Sequence, residues 1–256
     1  MTAIAYFARI DEILGRLQST QMDALRDAGG RLARTIAQGG RAYLFGSGHS
    51  VIPVMDVFPR YGSFIGFYPL YDPRLMWSNV IGPNGARELL WIERREGYVA
   101  QFLQSYPMDA RDCLVVFSHG GLNAAPIEAA QYARARGTAV ITVSSHANAE
   151  VASRTHSSGN ALRDLADVAI DNCVAPEDAQ VDVGRLEKVA AGSTIAAVAV
   201  AMAIVAETGA RLAADGHALT TFVSPNVAGV EPQHNGRVFD AYARAWFERG
   251  PEPVVR

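Results

Sequence analysis

The sequence predicts an α/β fold of three layers, a five-stranded parallel sheet with helices on both faces and two helices ahead of it. Three observations carry this. Five short apolar runs, at 41–46, 64–70, 112–117, 138–143 and 166–171, alternate with segments whose apolar residues recur at helical spacing. The runs do not alternate cleanly between apolar and polar residues, which is the pattern of strands covered on both faces. Two of them lead through a Ser/Gly loop into a helix, and ligands of such sheets sit beyond the carboxyl ends of the strands.

The amino-terminal residues 2–38 read as two helices, with Ile4, Phe7, Ile10 and Leu14 on one face of the first and Met22, Leu25, Leu32 and Ile36 on one face of the second. Further helices are expected at 50–57, 87–105, 123–136, 188–213 and 235–248. Residues 144–160 and 172–187 read as irregular, and the tail 250–256 as frayed. No stretch resembles a linker, and 256 residues can share one core, so a single domain spanning 1–256 is expected, with 1–38 as its helical arm.

Composition narrows the function. Hydrophobic residues make up 49% and charged residues 19% of the chain, the balance of a folded globular protein. A net charge of −3 gives no basic footprint for nucleic acid or an anionic membrane. The apolar run Ala190–Ala206 is short for a membrane span and reads as a core helix. Cys113 and Cys173 form no CxxC pair and are expected to be buried thiols in a cytoplasmic protein without a signal segment. The six histidines fall in no i, i+3 or i, i+4 pair, so neither a metal nor another cofactor is expected, although His49 and His119 could meet at a pocket mouth.

The chemistry concentrates in the two loops. Gly46, Ser47, Gly48, His49 and Ser50 follow the first strand; Ser118, His119, Gly120, Gly121 and Asn123 follow the third. Glycine allows close backbone approach, and hydroxyls and free N–H groups at a helix start suit an anion. One such loop could be only a capped turn; two together point to a pocket for a small phosphorylated or otherwise anionic molecule. Ser193 and Thr194, after Gly192, form a third cluster that suits capping and binding equally.

The pairing of Phe45-Gly46-Ser47-Gly48-His49-Ser50 with Phe117-Ser118-His119-Gly120-Gly121-Leu122-Asn123 resembles the SIS (sugar isomerase) domain. Over about residues 5–245 the chain is similar to a bacterial group of SIS proteins described as phosphoheptose isomerases. Segments carrying the likeness include 93–98, 125–128, 155–159, 192–194 and 226–235. The resemblance implies a phosphosugar bound by Ser47, Ser50, Ser118 and Asn123, and a homodimer or homotetramer with pockets at subunit contacts. Family members carry Ser-Asn-Ser-Gly where this chain has Ser118-His119-Gly120-Gly121, one hydroxyl fewer and an imidazole more.

Aldose–ketose isomerisation needs a base for carbon and an acid/base partner for oxygen. Glu93 and Glu96 are one source, with Glu96-Gly97 matching the Glu-Gly segment of SIS etherases; beside Arg94 and Arg95 they could equally form a solvated helix face. Glu231 and His234 are the other source, or simply a helix start. Phosphoheptose isomerases carry histidines on their final long helix, and the apolar helix here has none. The activities implied are a sugar-phosphate isomerase, with a phosphosugar lyase of the etherase kind or a non-catalytic sugar-phosphate sensor as alternatives.

Overall fold

A computed structural model describes residues 2–76 and 85–248; the tail expected at 250–256 lies outside them. The chain opens with α1 (Thr2–Thr20) and α2 (Met22–Ala37), then enters the sheet through β1 (Ala42–Gly46). After β1 come α3 (Val51–Val57), β2 (Phe67–Pro69), α4 (Ala86–Ile92) and α5 (Tyr98–Leu103). The second half of the sheet is β3 (Cys113–Phe117), α6 (Ala124–Arg134), β4 (Ala139–Ser144), α7 (His146–Val151) and β5 (Val168–Asp171). The chain ends with β6 (Ala179–Val181), β7 (Val189–Ala191), α8 (Ser193–Ala214) and α9 (His234–Phe247).

The five strands β1–β5 form one parallel sheet in the order β2-β1-β3-β4-β5. The central register sets Ala42 beside Cys113 and Gly46 beside Phe117. All of β1 and β3 is buried because alternate side chains feed two cores. Leu44, Val115 and Ile141 pack on one face with α2, α3 and α8. Tyr43, Phe45, Leu114, Val116 and Val140 pack on the other with α5 and α6. This is the three-layer architecture expected from the sequence.

Helix α9 closes the β2 edge. The buried guanidinium of Arg41 donates to the carbonyls of Ala245 at 2.9 Å and Trp246 at 2.7 Å, near the carboxyl end of α9, and lies over the rings of Tyr68 and Trp246. Unpaired carbonyls at a helix end attract a cation, and the aromatic faces add to the attraction.

Several elements depart from the sequence expectation. The helix expected over 87–105 is broken at Glu93–Gly97 into α4 and α5: Gly97 takes φ +88°, and buried Glu128 of α6 accepts the N–H groups of Gly97 and Val99, capping the second piece. The helix expected from 188 starts at Ser193, since Val189–Ala191 pairs antiparallel with Ala179–Val181 within the stretch read as irregular. Similarly, α7 arises in the irregular 144–160 because the Ser145 hydroxyl accepts from Asn148 N–H at 3.1 Å. The run at 64–70 gives only three strand residues; Phe64 bridges Thr221 instead.

Helix α8 is long and apolar enough to cross a membrane, yet it packs beside α2 and α3. Only 39% of its most apolar stretch is buried, and Ile195, Val198, Met202 and Ala206 run along an open or half-open face at helical spacing. On the covered side, a methyl on Gly29 of α2 would stand 2.5 Å from Glu207 Cβ and 3.1 Å from its carbonyl carbon, closer than packed atoms approach. Gly15 in α1 has no atom within 4 Å of that position. Alanine is favoured over glycine in a helix by about 1 kcal/mol, whereas overpacking costs about 1–3 kcal/mol. Denaturant titration is therefore expected to show Gly15→Ala raising stability by up to about 1 kcal/mol and Gly29→Ala lowering it.

Candidate functional site

The order of the strands sets the site. Beyond β1 the chain turns toward β2 on one side, and beyond β3 toward β4 on the other, so the loops after β1 and β3 diverge and leave a crevice at the carboxyl ends. The first loop turns tightly at Gly46, where any Cβ would fall 2.1 Å from the Ser50 carbonyl oxygen. That turn delivers Ser47, and the helical turn Gly48–Ser50 runs on into α3. The second loop is tied to β4 by Ser118 N–H donating to the Val143 carbonyl at 2.9 Å, and the Ser118 hydroxyl accepts from Gly121 N–H at 3.1 Å. Its own proton remains available to a ligand.

Glu93 joins the two loops. Its Oε2 accepts from the Ser47 hydroxyl and its Oε1 from the Asn123 amide, each at 2.9 Å. Its backbone carbonyl accepts from Ala125 N–H at 2.9 Å, at the start of α6. The side chain is 7% exposed, and burial pushes its carboxyl above the usual carboxylate range, opposed by the Ser47 hydrogen bond and the charge of Arg94.

His49, Ser50, Ser118, His119, Asn172, Ser193 and Thr194 line the crevice. The structure brings residues of both loops and of the start of α8 into one place. Gly120 and Gly121 serve it through their backbones: their carbonyls accept from the Asn148 amide at 2.9 Å and from Leu162 N–H at 2.8 Å. Ser193 has another partner. Asp178 accepts its hydroxyl at 2.8 Å and its N–H at 2.8 Å, and also the Gly192 N–H, so a carboxylate of the chain already occupies the start of α8.

None of the four acid/base candidates is among the side chains that line this crevice: Glu93 lies behind it, bonded to the two loops, and the other three are tied elsewhere. Glu96 is exposed and accepts from the N–H and hydroxyl of Ser157, which hold its carboxyl below the usual range. Its expected place beside the ligand does not match this position: Glu93 is still on the buried face of α4, four residues after Leu89, whereas Glu96 falls in the exposed turn that leads to Gly97. His234 bonds through Nε2 to the Thr221 carbonyl at 2.8 Å, in the segment bridged to Phe64 ahead of β2, at the opposite end of the sheet. Glu231 pairs with Arg237 at 2.7 Å near the surface. Neither can join Ser47 and Ser118 within one chain.

The sequence reading missed Asp178, Asn172 and Glu128. Asn172 directly follows β5, so its place at the carboxyl end of a strand was a usable signal. Among the described residues no three His, Cys, Asp or Glu side chains cluster to hold a metal, and Cys113 and Cys173 are buried thiols outside any disulfide.

Comparison with known proteins gives a match to the SIS domain over residues 5–145, more than half of the sequence. The chain belongs to the SIS domain family. It is 34% identical over 239 residues to a UPF0309 protein of Streptomyces coelicolor, covering 93% of this chain and 94% of that one. A UPF0309 protein of Halalkalibacterium halodurans is 30% identical over 241 residues, 94% of each chain. In fold, the SIS protein is similar to phosphoheptose isomerases of Neisseria gonorrhoeae (TM-score 0.53, 16% identity, 80% of this chain and 97% of that one) and Francisella tularensis (TM-score 0.54, 13% identity, 82% and 100%).

The upward shift of Glu93 in this SIS domain has a sign that can be tested. The folded protein holds the Glu93 proton more tightly than the unfolded chain, so its contribution to stability is full below the ordinary value of 4.5 and is lost as pH rises through the folded value. Thermal melts from pH 4 to pH 7 (roughly the carboxylate range) are expected to show Glu93→Gln gaining on the wild-type protein as pH rises. A difference independent of pH would mean that the Glu93 carboxyl titrates as it does in the unfolded chain.

Proposed function

We propose that this SIS protein binds a phosphorylated or otherwise anionic sugar in the crevice and interconverts its aldose and ketose forms, with Glu93 as the base. The observation that carries the reading is the buried Glu93 carboxylate hydrogen-bonded to Ser47 and Asn123, one from each ligand loop. Each of its oxygens accepts one bond from these partners and keeps a second acceptor position. A carboxylate whose proton affinity is raised by burial is a stronger base than one in water. In the reaction, the base takes the proton from the hydroxyl-bearing carbon next to the carbonyl, forming an enediolate. The proton returns to the former carbonyl carbon while a hydroxyl proton passes between the two oxygens. No electrons leave the sugar, and the chemistry calls for neither a redox cofactor nor a metal.

The anion would be held by the hydroxyls of Ser50 and Ser118 with Thr194, and by backbone N–H groups of the first loop. Losing one hydrogen bond to a charged group costs about 1–3 kcal/mol, so Ser118→Ala is expected to weaken sugar-phosphate binding by roughly 5- to 150-fold. Glu93→Gln is expected to bind the sugar phosphate yet turn over about 10²- to 10⁴-fold more slowly, while Glu96→Gln keeps its turnover. Incubation with a panel of sugar phosphates in deuterated water, followed by mass spectrometry, separates the activities. Label gained with the sugar mass otherwise intact marks an isomerase, and loss of an ether substituent marks a lyase. Binding without label marks a sensor and overturns the catalytic reading.

We also propose that the protein is a homodimer or homotetramer, joined in part through the open face of α8. Ile195 at 39% exposed, with Val198 and Met202 half-buried, forms an apolar stripe of the kind that subunit contacts cover. Such contacts would give His234 a route to a neighbour's crevice. Sedimentation at micromolar concentration is expected to show a dimer or tetramer, and Val198→Glu to shift it toward monomer while the circular dichroism spectrum is kept.

A further inference from the structure

One side chain in the crevice has its chemical form set by its neighbours. Val174 N–H, which can only donate, reaches Asn172 Oδ1 at 3.0 Å and so fixes which end of the Asn172 amide is oxygen. The other end, Nδ2, is then the amide nitrogen. It lies 3.1 Å from Nδ1 of His119, and since it can only donate, Nδ1 must carry a bare lone pair. The single ring proton of the neutral imidazole is left on Nε2. Asn172 cannot easily turn to suit another tautomer: it is 2% exposed, and its own N–H donates to the Ser144 carbonyl at 3.0 Å. Reversing the amide would leave two buried donors facing each other at Val174.

We infer that Asn172 is a positioning residue that fixes the proton of His119 on Nε2, so that the second loop offers the ligand a permanent N–H donor there and not a proton acceptor. Nε2 stands 3.4 Å from the Pro176 carbonyl, a long contact that an anionic or carbonyl oxygen of a ligand could replace at normal hydrogen-bond length. His119 lines the crevice beside Ser118 and Thr194, so this N–H joins their hydroxyls in one donor set. It supplies the donor that the glycine at position 120 does not. The ligand-facing half of the inference rests on the anion reading of the crevice; the tautomer does not.

The test uses the full-length protein with ¹⁵N-labelled histidine and long-range proton–nitrogen NMR, with His119 assigned by loss of its signals in His119→Gln. The expected wild-type pattern is one tautomer, Nδ1 bare and Nε2 protonated. In Asn172→Asp the two nitrogens should exchange roles, because a carboxylate oxygen now accepts a proton from Nδ1. If that variant does not fold, the uncharged Asn172→Ala should leave the ring exchanging between both tautomers. Inorganic phosphate added to the wild-type protein should shift His119 Nε2 together with the backbone amides of Ser47 and Ser118, and Asn172→Asp should bind it about tenfold or more weakly. A wild-type ring protonated on Nδ1 overturns the inference whatever phosphate does. Phosphate that moves Ser47 and Ser118 but not Nε2 overturns the donor role and spares the crevice. Phosphate that moves none of the three overturns the anion reading and the donor role together, with the tautomer judged on its own spectrum.

Discussion

The hydrogen bonds of the Glu93 carboxylate to Ser47 and Asn123 hold the two loops of the site in fixed relation. The segments after β1 and β3 leave the sheet in opposite directions, and this shared partner ties them together above it. A buried carboxylate is costly unless its oxygens are paired. Here the partners are one side chain from each loop, and the Glu93 carbonyl also takes an N–H from the start of α6. Glu93 is delivered by α4, whose last turn bonds Glu93 N–H to the Leu89 carbonyl and sets both residues on one buried face; the turn that ends at Gly97, fastened by Glu128, comes after it and redirects the chain into α5.

Where local pattern decides a structure, the sequence was readable. Strands β1, β3, β4 and β5 stand close to their expected bounds, and both Ser/Gly loops line the same crevice. Where a partner distant in the chain decides, it was not. Glu93 and Glu96 are three residues apart in one charged run, and nothing local says which one faces inward; the answer depends on Ser47, Asn123 and Ser157. The hairpin of β6 and β7 was hidden for the same reason: Val189–Ala191 has the composition of the helix that follows, and its pairing with Ala179–Val181 becomes visible only once Asp178 is seen to start α8.

The layer formed by α2 and α8 shows how little space separates support from exposure. Gly29 lets α8 approach until backbone nearly meets backbone, which fixes the helix on one side, while the other side keeps an apolar stripe uncovered. The apolar composition of α8 therefore serves two faces, only one of which is met within a single chain.

The side chains that line the crevice include no lysine or arginine, and the start of α8 is already taken by the carboxylate of Asp178. A ligand in the crevice therefore meets no cationic side chain among those that line it. What is left is a set of short-range dipoles: hydroxyls, backbone N–H groups and an imidazole. Dissolved salt weakens attraction between charges across about 10 Å at 0.1 M but scarcely alters a hydrogen bond made in contact. Ionic strength should consequently have little hold over what this crevice retains, and the fit of oxygen atoms to fixed donors becomes the main basis of selection.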